Sequence, residues 1–481
     1  MSGRKMRFAP SLTAIAAALS LAGCATFSPD GGMAFVQDAV KTDLAADTVK
    51  ITDDSQAASA ESRYRNLLKK GLSADRAVQV ALLSNKGLQA AYNDLGISEA
   101  QFVEATLPPN PTISILTVSG SGALDIERRI IASLLSLVTL QARREIAEAQ
   151  FKGAQLKAIG ETLKLAADTR RQFWRAVAAS EQSGYLSEAR ASAQTASELA
   201  KRLGETGALN KLEQSREHAF YADLAAQIAK ARVQQALERE RLTRHMGLWG
   251  RDIAYALPSR LPSLPGKLRP SATVEAEAVK RRADLKLARG ELDLVAKQYG
   301  LTKATRYINA FELSGAENYS RARTVDPASG AASVDKRRQF GAELSLEIPI
   351  FDWGEARTRE AEQTYMRAAN HLADTAVNVR SQAREAYIAY KGAWDVAHVY
   401  QNQVLPLRKL IQDEQLLQYN GMLADLFTLI QDARLRTLSN VAAIEARRDF
   451  WIADADLRAA IVGGGMAGGE AKAVTAAAGG E

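Results

Sequence analysis

Residues 71–247 read as a rough copy of residues 268–461, and no other feature constrains the possible folds as strongly. At an offset of 214, Ala142 and Arg143 fall on Ala356 and Arg357, Ala147 and Glu148 on Ala361 and Glu362, Arg170 on Arg384, and Phe173 on Tyr387. The same register carries Gly207 onto Gly421, Leu209 onto Leu423, Leu212 onto Leu426 and Ala219 onto Ala433. Nearer the start of each half the offset is 197, pairing Leu88 with Leu285, Ala91 with Ala288 and Leu95 with Leu292. The second half therefore holds 17 more residues in its middle. A repeat sets the architecture before any local signal does. This one is far longer than a solenoid unit and reads as two domain-sized halves built on one plan.

Each half opens on helix. Ser73 is placed to N-cap a helix running to about Glu104. Pro108, Pro109 and Pro111 stop it by removing backbone donors. Thr112–Val118 then alternates, with Ile113 and Ile115 opposite Ser114, as a strand does. An apolar run from Ile130 to Leu140 follows a Ser/Gly turn at 119–122. The second half repeats the pattern with strands over Tyr307–Leu313 and Phe340–Ile348. The polar stretch between them, containing Asp326–Gly330, is expected to absorb the 17 extra residues as a longer loop.

After each hairpin comes long helix. Gln141 to about Leu203 contains no proline, and some 60 helical residues span roughly 90 Å. The counterpart runs from Glu355 to Leu405 and is expected to stop at Pro406. Its apolar residues Tyr387, Tyr390, Trp394, Ala397 and Val404, spaced 3, 4, 3 and 7, form a heptad-like seam. Turns at 204–207 and at Asn420–Gly421 lead into returning helices over 209–246 and 423–461. The chain thus divides into a first repeat at 71–257 (hairpin about 112–140), a proline-rich link at 258–270, and a second repeat at 271–461 (hairpin about 307–350). Residues 24–70 read as a polar linker, and 462–481 as a disordered Gly/Ala-rich tail.

The fold class is mainly α with a small β part. Four strands are too few to close a sheet on themselves. Alternation of polar and apolar positions is what a barrel wall needs between lipid and water, and closure removes edges that lipid would not tolerate. Several copies pooling their hairpins, or a small soluble sheet on a helical protein, both satisfy the alternation.

The N-terminus reads as a leader. Arg4, Lys5 and Arg7 precede an apolar stretch, Phe8–Leu21, that is too short to span a bilayer, making residues 1–23 a signal peptide. Leu21-Ala22-Gly23-Cys24 resembles a bacterial lipoprotein box, which implies cleavage before Cys24 and acylation of its sulfur and new amino group. Ala25, rather than an aspartate, follows it, and that favours the outer membrane. Several acyl chains anchor firmly where one is marginal. Cys24 is the only cysteine, so no intramolecular disulfide forms. The formal charge is +7, of which the leader holds three. The remaining basic residues interleave with Glu and Asp along helices, which argues for solvated faces and against nucleic acid as a partner.

Ile348-Pro349-Ile350-Phe351-Asp352-Trp353-Gly354 with Arg357 resembles the strand-to-helix signature of the outer membrane efflux proteins of the TolC family. Gly421-Met422-Leu423, with Leu426 and Ala433, resembles that family's helical tip, and Leu137–Leu140 a degraded signature in the first half. Leu107-Pro108-Pro109-Asn110-Pro111 resembles its heavy-metal branch. The resemblance covers nearly the whole chain after the leader. It implies a homotrimer in which each chain gives four strands to a twelve-stranded transmembrane β-barrel, its helices forming an antiparallel coiled-coil α-barrel across the periplasm. Pro349, Phe351, Gly354 and Arg357 would form the strand-to-helix junction. Gly207, Leu209, Gly421 and Leu423 would lie at the periplasmic mouth, against a membrane-fusion adaptor that links to a proton-driven inner-membrane pump. The implied function is a passive outer membrane duct exporting small solutes, metal ions or drugs. The outer component of a type I protein-secretion system and a non-conducting lipoprotein scaffold are the alternatives.

No phosphate loop, His-Glu-x-x-His or paired-cysteine metal motif is present, and His218, His245, His371 and His398 are scattered over helices. No catalytic constellation and no cofactor is expected.

Overall fold

The computed structural model describes residues 27–121, 123–207, 210–325, 330–421, 423 and 426–465. The leader, Cys24, Leu209 and most of the expected tail lie outside them. The chain divides into two units, each drawing on both halves of the duplication: one comprises Met1–Gly32, Asp94–Ala154 and Leu287–Ala373, the other Met33–Asn93, Gln155–Lys286 and Asp374–Glu481.

The stretch read as an irregular linker carries two helices, α1 (Met33–Leu44) and α2 (Asp54–Lys69). Asp53 caps α2 by accepting from the Gln56 amide at 2.8 Å. Helix α3 (Ala74–Ser84) starts as expected, with the Ser73 hydroxyl accepting from Arg76 N. The helix expected to continue to Glu104 is broken at Asn85 and resumes as α4 (Lys86–Thr106). Asn85 causes the break by bonding elsewhere: its Oδ1 accepts from Leu88 N and its Nδ2 donates to the His245 carbonyl. Gly247 packs so closely there that a Cβ on it would lie 2.8 Å from the Asn85 Cα.

Strand β1 (Thr112–Gly120) and strand β2 (Ala123–Ser133) follow. The apolar run read as a strand over Ile130–Leu140 is strand only to Ser133, whose hydroxyl then caps the short helix α5 (Leu134–Val138). The strand starts earlier than its apolar residues suggest, because ladder pairing carries Asp125, Glu127 and Arg128 along. Helices α6 (Leu140–Glu205, 66 residues) and α7 (Lys211–His245, 35 residues) complete the first half.

The second half holds α8 (Val274–Arg281), α9 (Ala283–Ala304), β3 (Ala310–Val325), β4 (Ala332–Glu347), α10 (Glu355–Val399), α11 (Leu405–Asn420) and α12 (Leu426–Val462). Here the expectation of a long loop fails. Strands β3 and β4 have 16 residues each, against 9 and 11 for β1 and β2, so most of the extra length extends the hairpin. Charged residues such as Arg321, Lys336 and Arg338 read as loop, yet here they alternate in register across a ladder. Pro406 likewise does not end the helix. It occupies the first turn of α11, where its missing donor is harmless, and a π-helical turn at Tyr400–Val404 opens the ladder ahead of it.

In the second unit Tyr92, Phe173, Leu163, Leu242, Met246 and Phe450 are fully buried. The Tyr92 hydroxyl meets Thr162 Oγ1 at 2.9 Å, and the Phe450 ring lies 5.4 Å from Tyr390 and 5.1 Å from Trp451. The buried Arg171 guanidinium is neutralised by Asp168 and Asp456. Leu88 and its repeat partner Leu285 are both buried, so equivalent positions of the two halves do equivalent packing. Among the described residues no helix is long and apolar enough to cross a membrane.

Candidate membrane-facing sheet, strand-to-helix junction and helical tips

The four strands form one antiparallel sheet in the order β1-β2-β3-β4. The central β2–β3 pairing joins the two halves, for example Ile130 opposite Gly315 and Arg128 opposite Glu317. The outer edges of β1 and β4 have no partner strand among the described residues. Long unpaired edges of this kind are templates for another chain.

Register assigns each side chain to a face, because directly opposed residues share one. One face carries Ile113 and Ile115 of β1, Leu124, Ile126 and Ile130 of β2, Phe311, Leu313 and Tyr319 of β3, and Phe340, Leu344 and Leu346 of β4. The other is mainly polar, carrying Ser114, Glu127, Arg129, Asn318, Ser320, Gln339, Glu343 and Ser345, with Leu116, Val118 and Ile131 as its large apolar residues. Its charges pair locally, with Arg129 at 2.7 Å from Glu127 and 3.7 Å from Glu343. The apolar face is uncovered: Ile113 is 68% exposed and Phe340 78%. Charge enters it toward the hairpin turns, where Glu317 pairs with Arg128 at 3.1 Å and lies 4.0 Å from Arg338, and where Arg321, Arg323 and Lys336 follow. Neither this pair nor the difference between the faces was legible in the sequence, since the polar half of the β3–β4 hairpin read as loop.

At the base of that hairpin the four expected junction residues lie close in sequence but do different work. Gly354 has φ +68°, and a Cβ there would sit 2.4 Å from the Arg306 carbonyl oxygen, so only glycine fits. The Arg357 guanidinium donates to that same oxygen at 3.2 Å and to Asn309 Oδ1 at 2.6 Å. Arg306 returns the contact, Nε donating to the Trp353 carbonyl at 2.8 Å and Nη2 reaching Glu355 at 3.3 Å. The Pro349 carbonyl accepts from Trp353 N at 3.0 Å, closing the turn. Start of α10 and start of β3 are thereby tied together. Sequence reading missed Arg306 and Asn309; the only signal for them is their position immediately before β3. Phe351 takes no part in the latch and is 97% exposed, beside exposed Ile348, Ile350 and Trp353. The corresponding segment of the first half also exposes Leu137 and Val138.

Gly207 ends α6 at φ +74°, its N–H donating to the Gly204 carbonyl at 3.2 Å. Asn210 then caps α7 by accepting from Glu213 N at 2.9 Å. Gly421 ends α11 differently: its φ is −82°, so the left-handed conformation expected of a terminating glycine is not used there. Leu423 is 82% exposed. Helix α11 has no buried residue, and Leu407, Leu410 and Leu417 are exposed along it. On α7 the Glu217 side chain is buried, and its carboxylate has no hydrogen-bond partner among the described residues. Burial pushes its pKa up. At the N-terminal side, Ser28 N donates to Glu99 Oε1 of α4 at 2.7 Å and the Ser28 hydroxyl bonds the same oxygen, fixing the chain four residues after Cys24.

No protein-family model matches the chain, and no curated protein matches it. Solved structures do. A structure of CusC, described for conformational changes accompanying folding and transmembrane channel formation, superposes with a TM-score of 0.68 at 14% identity, covering 81% of this chain and 92% of that one. The CmeC outer membrane channel of Campylobacter jejuni gives 0.68 at 16% identity, covering 83% and 87%. The outer membrane protein VceC of Vibrio cholerae gives 0.66 at 15%, covering 81% and 96%. The chain therefore shares the fold of these three structures along nearly their whole length.

Proposed function

We propose that this chain belongs to the TolC family of outer membrane efflux proteins and is one subunit of a trimeric, passive export duct. The observation that carries the proposal is the sheet: four strands with two free edges, one apolar uncovered face and one polar face. A second copy can pair β4 with its own β1, and three copies close twelve strands with no edge left. The apolar face then meets lipid and the polar face lines water. Exposed Phe351 and Trp353 at the hairpin base suit a membrane–water boundary, where aromatic rings concentrate. The uncovered leucines of α11 and the exposed Val377, Ile388 and Val396 of α10 supply surface for neighbouring copies.

On this reading the protein sits in the outer membrane and extends into the periplasm. Cys24 carries the lipid anchor, which the Ser28–Glu99 contact would hold close to the end of α4 that leads into β1. Leu423, Leu209 and the glycine turns at 207 and 421 form the mouth that meets a membrane-fusion adaptor, and energy comes from an inner-membrane pump. The exported solute, metal ion or drug, is chosen by that pump.

The test is outer membrane extraction followed by unheated electrophoresis and planar-bilayer recording. A heat-labile trimer with steady conductance is expected. A monomer without conductance would refute the duct; a trimer without conductance would leave a scaffold in its place.

A further inference from the structure

The apolar face of the sheet changes character along its length. From the helix end toward the hairpin turns, its cross-strand rows run Phe311–Leu346, then Leu313–Leu344, then Ile113–Ile130–Gly315–Ala342. The next row is Ile115–Arg128–Glu317–Phe340, followed by Thr117–Ile126–Tyr319–Arg338. Then come Leu124–Arg321–Lys336 and Arg323–Val334. Five cations, Arg128, Arg321, Arg323, Lys336 and Arg338, thus share the turn-side part of this face with a single carboxylate, Glu317. Over the same strands the polar face reverses the balance, with Arg129 and Arg337 against Asp125, Glu127, Asp335 and Glu343. Charge is sorted by face.

Glu317 is already used: Arg128 lies 3.1 Å from it and Arg338 4.0 Å, the latter guanidinium 5.7 Å from the Tyr319 ring centre. Arg321, Arg323 and Lys336 are exposed and have no ion-pair partner among the described residues. Arg321 stands directly opposite Lys336. Like charges directly opposed across a ladder destabilise it, and an anion from outside the chain would relieve that repulsion. Same-face rows are spaced by about 6.8 Å along a strand. The rows from Phe311–Leu346 to Tyr319–Arg338 therefore cover roughly 27 Å of strand, enough to cross the apolar layer, and leave the unpaired cations at headgroup level.

We propose that Arg321, Arg323 and Lys336 form a binding belt for the clustered phosphates of a multiply phosphorylated lipid headgroup in the outward leaflet. The proposal rests on the membrane-channel reading above, which supplies the lipid-facing direction of this face. Guanidinium and ammonium groups at this spacing can engage separate phosphates with charge-assisted hydrogen bonds, and the neighbouring aromatic row receives the sugar or glycerol level beneath. Three copies would carry three such belts around the barrel.

The test uses the full chain extracted in detergent, titrated with diphosphoryl lipid A and read by native mass spectrometry. Dephosphorylated lipid A, inorganic phosphate and a flotation assay with phosphatidylcholine vesicles serve as the other arms. Tight binding of the diphosphoryl lipid, little of the dephosphorylated one and none reproduced by inorganic phosphate is expected. A cation near an anionic headgroup contributes about fivefold in affinity, so R321Q/R323Q/K336Q should bind roughly a hundredfold more weakly. R337Q, on the opposite face, should bind as the unaltered chain does. Equal binding by the triple variant, or equal loss in R337Q, overturns the belt, as does equal affinity for inorganic phosphate. Flotation separates the two claims: a chain that floats with vesicles but ignores the phosphates refutes the belt alone, and one that does not float refutes the channel reading and the belt with it.

Discussion

Glycine-to-alanine substitution at the three turn glycines should give three different outcomes, and the differences can be worked from backbone geometry. At Gly354 the backbone is left-handed, φ +68°, which costs an L-residue roughly 1–2 kcal/mol. The added Cβ would also stand 2.4 Å from the Arg306 carbonyl oxygen and 2.8 Å from its Cγ. That oxygen is backbone and cannot swing aside. Moving it disturbs the Arg357 donation it accepts and the Arg306 donation to Trp353, charged hydrogen bonds contributing about 1.5–3 kcal/mol each. G354A should therefore weaken the junction by roughly 3–5 kcal/mol. Gly207 is equally left-handed but faces open space, so G207A should cost only the conformational part, about 1–2 kcal/mol. Gly421 sits at φ −82° with its nearest neighbour at 3.4 Å. There alanine is compatible and lowers the entropy of the unfolded chain, so G421A should be neutral or stabilising by up to ~1 kcal/mol. Thermal unfolding followed by far-UV circular dichroism would rank the variants. Limited trypsin digestion would report opening at Arg357 and Arg359 in G354A alone. The reasoning fails if G421A is as damaging as G354A, or if G354A melts with the unaltered protein.

Three further outcomes follow from the same contacts. Burial raises the Glu217 pKa above its ordinary 4.5, so the folded chain holds that proton to higher pH than the unfolded chain does. Its contribution to stability is present in acid and is lost as pH rises through the folded value. E217M, which removes a buried carboxylate without partners, should stabilise the protein at neutral pH by about 1–3 kcal/mol and flatten the fall in melting temperature above pH 4.5; an unchanged pH profile would show that the carboxylate is solvated. On the proposed lipid-facing reading, E317A should strand Arg128 about three-quarters of the way across the apolar rows at a cost of ~1–2 kcal/mol, between the midplane and interface values, and R128L/E317L should recover most of it. Urea unfolding in vesicles measures both, and equal losses for single and double variants would contradict the lipid-facing assignment. Y92F removes the hydroxyl that meets Thr162, which still donates to the Ala158 carbonyl. A loss near 1 kcal/mol is expected from denaturant midpoints, and a loss above 3 would point to partners beyond Thr162.

Much of the plan was legible along the chain, because its carriers are local. A duplicated register, proline-free helical stretches and an N-capping Ser73 act through short-range propensity and periodicity, and these predict two hairpins followed by two long helical pairs. Gly354 was visible only through the resemblance of residues 348–354 to a family signature; the left-handed turn that accounts for it belongs to the structure. Local signals also misled where pairing or packing overrode them. Pro406 reads as a stop, yet a π-helical turn makes room for it. The polar residues 314–339 read as loop, yet a partner strand satisfies their backbone and turns them into ladder.

What tertiary structure alone decided is which residues share a face and which side chains meet. Arg306 and Asn309 become the acceptors and partners of Gly354 and Arg357 only because two hairpin ends close on each other across some 50 residues of chain. The sorting of cations to the apolar face and carboxylates to the polar one depends on register, and a shift of one residue would reverse it. Periodicity is written in the sequence of one strand; register is a property of two, and so it exists only once they have paired.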